Sequence, residues 1–71
     1  MTVKTFLGAV NDWEHVSVED EEYREFGEGE AQTLRSTRGV AGLSVVCAYI
    51  GNRSNRACLV VIAEKKGGAK E

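Results

Sequence analysis

The sequence predicts a single small α+β domain of order β-α-β-β, with a three-stranded antiparallel sheet and one helix. Three observations carry that reading. A chain of 71 residues has room for one core only. The stretch from Gly42 to Lys66, "GLSVVCAYIGNRSNRACLVVIAEKK", reads as two apolar runs around a polar turn. Between Ser17 and Gly39 lie a capping pattern, apolar residues at three-to-four spacing and a glycine stop. The domain is assigned to residues 1–66, and the polar, Gly-rich residues 67–71 are expected to fray.

The first element is expected at Val3–Val10, "VKTFLGAV", a short apolar run rich in β-formers and closed by the turn chemistry of Asn11–Asp12. A helix is then expected within residues 18–38. Ser17 and Asp20 fit an S/T-x-x-D cap, and the acids that follow suit a helix N-terminus. Tyr23, Phe26, Ala31 and Leu34 give one weakly apolar face, and Gly39 is a natural stop. Gly27 and Gly29 argue against an unbroken helix, since each costs about 1 kcal/mol relative to Ala. The competing reading is a small five-stranded all-β barrel, with "HVSV" and "EYREF" as strands and "GEGE" as the turn. "GLSVVCAYI" and "RACLVVIAE" complete the sheet as a hairpin.

Alternate strand residues face opposite sides, yet neither strand of this hairpin has a polar face. One helix covers one side of a sheet, so the other side is expected to meet a second subunit in a homo-oligomer, a dimer or higher. Val45, Cys47, Tyr49, Leu59 and Val61 are the candidate self-association residues, with the opposite face as the alternative.

Charge is distributed unevenly along a chain of net charge −2. Residues 12–30 hold nine carboxylates and one arginine, while residues 35–71 hold seven bases and two carboxylates. Glu19, Asp20, Glu21, Glu22 and Glu25 are therefore the candidate partner-binding residues. The partner expected is another protein with a basic surface, such as a nucleic-acid-binding protein, because complementary charge speeds association and fixes orientation. Arg35, Arg38, Arg53 and Arg56 are the candidates for direct nucleic-acid contact, a weaker reading for a chain that is acidic overall.

Chemistry-bearing patterns are sparse. Cys47 and Cys58 lie outside zinc-pair spacing, and His15 is the only histidine, so no metal is expected. A cross-strand disulfide between the two cysteines requires one particular hairpin register, and two free thiols are the expectation. His15 beside Ser17 lacks the fixed hydrogen-bond chain of a triad. "GEGE" lacks the glycine spacing and lysine of a phosphate loop. No cofactor and no catalysis are expected. No run approaches the roughly 20 apolar residues of a membrane span, and no signal peptide is read, so a cytoplasmic protein is expected. The function expected is that of a small regulatory or inhibitory protein acting by protein–protein binding.

The order strand–helix–strand–strand is similar to that of the dodecins. "TLRSTRG" (Thr33–Gly39) resembles the end of the dodecin helix, and "LGAVNDWE" (Leu7–Glu14) the turn after the first dodecin strand. The resemblance implies a hollow oligomer that carries a flavin-type small molecule, an alternative to the regulatory reading. The second strand here has no tryptophan for flavin stacking, so no binding residue is carried over.

Overall fold

The structure, a computed structural model, describes residues 1–65. The elements run α1 (Val3–Leu7), β1 (His15–Glu19), β2 (Glu25–Glu30), α2 (Ala31–Leu34), β3 (Ser44–Arg53) and β4 (Arg56–Glu64). The α+β class holds. The sheet is four-stranded and mixed, in the order β2-β1-β4-β3, with two short helices. The residues expected to fray, 67–71, lie outside the described residues.

Two antiparallel hairpins, β1–β2 and β3–β4, are joined by a parallel pairing of β1 with β4. Val16 lies opposite Leu59 and Val18 opposite Val61 in that parallel pair. These two central strands carry most of the buried positions, as strands covered on both faces must.

The element order differs from the expected β-α-β-β in two places. Val3–Leu7 is a helical turn, where a strand was expected. The Thr2 hydroxyl caps it by accepting from the Thr5 amide (3.2 Å), and the spacing of Val3, Phe6 and Leu7 puts all three toward the core. The expected helix over 18–38 is instead the β1–β2 hairpin followed by the four-residue α2. Ser17 and Asp20 therefore do not cap a helix. Val16 and Val18 alternate with Ser17 and Glu19 along a strand, and that period of two prevails. Of the two extra strands of the all-β reading, "HVSV" forms as β1, but only Glu25 and Phe26 of "EYREF" enter β2, "GEGE" lies within that strand and the sheet is open. Gly27 has a packing reason: a Cβ there would approach Val40 and Leu34 to 3.3 and 3.4 Å. The strand–helix–strand–strand order that prompted the dodecin comparison is not the order found.

The main core lies between the helices and one sheet face. Val3, Leu7 and Leu34 pack with Val16, Val18, Val61 and Ala63. Full burial of a side chain such as Leu7 is worth about 1.5–3 kcal/mol. Cys58, Val60 and Ile62 form a second buried cluster on the opposite face of β4, turned away from the helices.

Candidate functional site

Two surfaces merit description: the acidic turn between β1 and β2, and the sheet face that carries the Cys58–Val60–Ile62 cluster. The five carboxylates expected at a partner surface divide between them.

Glu19, the last residue of β1, is buried at 3% exposure and is not part of the open acidic surface. Its carboxylate accepts from Arg53 through Nε (2.5 Å) and Nη2 (2.9 Å), a two-pronged charge-assisted contact that reaches across β4. The Ser17 hydroxyl donates to the same carboxylate at 2.8 Å. The Arg53 contact holds the Glu19 carboxyl below the usual glutamate value, against the opposing effect of burial. Arg53 Nη2 also reaches the Tyr49 hydroxyl at 3.3 Å. Gly51 makes room for this arrangement. A Cβ there would come within 3.2 Å of both the Tyr49 ring and Val60, and 3.5 Å from the Arg53 guanidinium. Tyr49 lies opposite Val60, which is fully buried on the sheet face turned away from the helices.

Asp20 organises the turn. Its Oδ1 accepts from the amides of Glu22 (2.8 Å) and Arg24 (2.9 Å), and its Oδ2 from Arg24 Nε (2.9 Å). The Arg24 amide is the largest cause of a lowered Asp20 carboxyl pKa. This is the short-range bonding by which aspartate builds turns. It supports Tyr23, whose φ of 66° is uncommon for a residue with a bulky side chain. Glu21, Glu22 and Glu25 stay exposed, and Tyr23 is 71% exposed beside them. A shallow groove of about 560 Å³ runs along the turn, lined by these acids with Phe26 and Glu64. Among the described residues, Arg24 and Lys65 are the cations of its lining.

The expected self-association residues also divide. Val61 is fully buried in the helix-side core, so it is not available to a partner. Val45 and Leu59 are half-buried against the same core. Cys47 and Tyr49 are exposed on β3. Val46 bulges out of the β3–β4 register and is 44% exposed, and Ile50 is 70% exposed.

Arginines expected at a nucleic acid are partly committed elsewhere. Arg53 is held by Glu19, and Arg35 pairs with Asp12. Arg38 and Arg56 are exposed, one in the α2–β3 connection and one beside the hairpin turn.

Cys47 lies opposite Ile62 and Cys58 opposite Gly51, so the two thiols are far out of register and both are free. Burial pushes the Cys58 thiol pKa up, which disfavours the nucleophilic thiolate. His15 Nε2 meets Glu28 Oε2 at 2.6 Å across the β1–β2 pair. Among the described residues, no group of three or more His, Cys, Asp or Glu side chains is placed to hold a metal ion. No described helix is long and apolar enough to cross a membrane.

The Glu19–Arg53 contact and the place of β3 at the sheet edge were the features that sequence reasoning missed. A signal for the first exists in Gly51 flanked by Tyr49 and Arg53, since a strand glycine often marks a close approach. No family model, no curated protein and no solved structure matches this chain.

Proposed function

We propose that this chain is a small non-catalytic regulatory protein that binds a basic surface of another protein through the β1–β2 turn. The observation that carries the reading is the groove there. Glu21, Glu22, Glu25 and Glu64 line it, and Arg24 and Lys65 only partly offset them. Tyr23, held at positive φ and exposed among the acids, adds an amphipathic anchor of the kind that concentrates binding energy at interfaces. Asp20 supports the turn, so the acids are presented on a preorganised loop, which lowers the entropy cost of binding. A non-catalytic role is favoured by the buried, high-pKa Cys58 thiol and by the pairing of His15 with Glu28. Free thiols fit a reducing, cytoplasmic setting.

The test is affinity capture from native lysate with three proteins: wild type, Glu21→Lys/Glu22→Lys, and a control reversal at Glu14, an exposed acid outside the groove. A protein retained by wild type and by Glu14→Lys, and lost by the double reversal, is the expected result. Its elution should advance with salt, because exposed charges are screened beyond about 10 Å at 0.1 M. Equal retention by all three sinks the assignment.

A further inference from the structure

We infer that β3 is a docking edge for a second copy of this chain, with the two β3 strands pairing antiparallel about a twofold axis at Ile50. The sheet has two edges of opposite character. β2 presents Glu25, Glu28 and Glu30 with two glycines, so another strand laid there meets carboxylates and a weakened backbone. β3 carries no charge before Arg53, and Val46, Tyr49 and Ile50 are its exposed large apolar residues. A long edge with no charge before its last residue is the kind that recruits another strand.

The hairpin turn fixes which backbone groups are free. Ser54 and Asn55 both have positive φ (57° and 62°), the type I′ signature, and Arg53 faces Arg56 across the turn. The closing pair of such a hairpin exchanges both of its bonds. Arg53, Gly51, Tyr49 and Cys47 therefore point their backbone groups at β4, while Asn52, Ile50 and Ala48 point theirs outward.

The other end of the edge is already occupied. The Val45 amide donates to the Met1 carbonyl at 2.8 Å, and Thr2 bridges Ser44. Among the described residues, the regular free stretch is thus Cys47–Arg53, between the bulge at Val46 and the turn. Its midpoint is Ile50. An antiparallel strand paired with its own twofold copy must centre on one residue, and only Ile50 brings the whole stretch into register. Ala48 then faces Asn52 of the second copy, and Ile50 faces Ile50, giving about six backbone hydrogen bonds. On the side away from the helices, Tyr49 lies opposite Gly51 of the copy. A twofold normal to the sheet keeps the helices of both copies on one side, so a single sheet runs through the pair. Seven residues from each copy are few against the roughly 20–30 a side of a standard interface, so the dimer is a weak, concentration-dependent one.

Sedimentation velocity under reducing conditions tests this on the chain without an N-terminal tag, because the antiparallel Thr2–Ser44 bridge would lead any extension along the same edge. Mass is followed from about 5 µM to about 500 µM, since assembly shifts with concentration. Wild type should move from monomer to dimer. Ile50→Lys and Ile50→Glu should each stay monomeric, because like charges would meet on the axis, and an equimolar mixture should dimerise again. At 70% exposure, position 50 tolerates either charge in the monomer. Should a variant nonetheless lose its fold, amide exchange on wild type gives the same answer. The Ala48, Ile50 and Asn52 amides should gain protection at the high concentration. Monomer at every concentration, single variants that dimerise like wild type, a mixture that stays monomeric, or no gain of protection overturns the inference.

Discussion

Glu19→Gln probes the contact that ties β1 to β3 across β4. The carboxylate is 3% exposed and receives two donors from Arg53 and one from Ser17. Glutamine keeps the shape but removes the charge, and its amide nitrogen turns a donor toward the guanidinium donors. Hydrogen bonds to charged groups contribute about 1.5–3 kcal/mol each when measured by deletion. One acceptor survives in the variant, and the Arg53 side chain is 30% exposed, so solvent screens part of the attraction. The loss expected at neutral pH is therefore about 2 kcal/mol. A core of this size supplies roughly 3–5 kcal/mol in total, so the variant should keep its fold with about half the margin.

The sign of the pH dependence follows from the direction of the Glu19 shift. Its carboxyl lies below the ordinary 4.5 in the folded protein, chiefly through Arg53. Below that ordinary value the unfolded chain takes up a proton before the folded one does. The stabilisation is fully present above 4.5 and is lost as pH falls through the folded value. Glutamine has no such titration. Urea unfolding of both proteins across the acid range reads the difference, and a slope of about 1 kcal/mol per molar urea converts the neutral-pH loss into a midpoint shift of about 2 M. Asp20, whose carboxyl is also held low, is common to both proteins and cancels. The gap between them should be wide at neutral pH and close in acid. No gap at neutral pH, or a gap that persists unchanged in acid, refutes the reasoning.

Two further outcomes are expected. Gly51→Ala should cost about 1 kcal/mol in urea unfolding, because its Cβ would press on the Tyr49 ring and Val60 at 3.2 Å; an unchanged unfolding curve would contradict that packing. In the folded protein a thiol-exchange reagent should label exposed Cys47 quickly and buried Cys58 only on unfolding, and mild oxidation should yield no intrachain bridge, whereas rapid labelling of both would place Cys58 at the surface.

The β3–β4 hairpin was legible because two apolar runs flank a polar turn, a signal that depends on neighbours in sequence. Its loop was less so. Loops at Asn52–Arg53 or over Asn52–Asn55 fit the composition equally well, and the turn found, Ser54–Asn55 with both residues at positive φ, is neither. The β1–β2 region was obscured by its acids, which suit a helix N-terminus as well as a solvated turn. The alternation of Val16 and Val18 with Ser17 and Glu19 was the better guide. Pairing of β1 with β4 joins residues more than 40 positions apart, such as Val16 with Leu59, and no local pattern announces it. That pairing also decides the site. It places β4 in the interior and β3 at the edge, so Glu19 and Arg53 meet across a strand that neither belongs to.

A hairpin apolar on both faces suggests a sheet needing cover on both sides, and the structure meets that need unequally. On the helix side α1 and α2 suffice for Val61 and Ala63. On the other side Cys58, Val60 and Ile62 are buried without a helix, with Tyr49 opposite Val60 and Glu19 opposite Ile62 in the neighbouring strands. Among the described residues, the large apolar side chains of the sheet that stay exposed, Val46, Tyr49 and Ile50, all lie on β3. A second copy paired through β3 would therefore meet an edge and not a face. An edge asks for backbone partners, which only an extended strand supplies. The acids that make β2 a poor partner for any strand also keep such a dimer from propagating, because pairing through β3 consumes the one edge that is open to it.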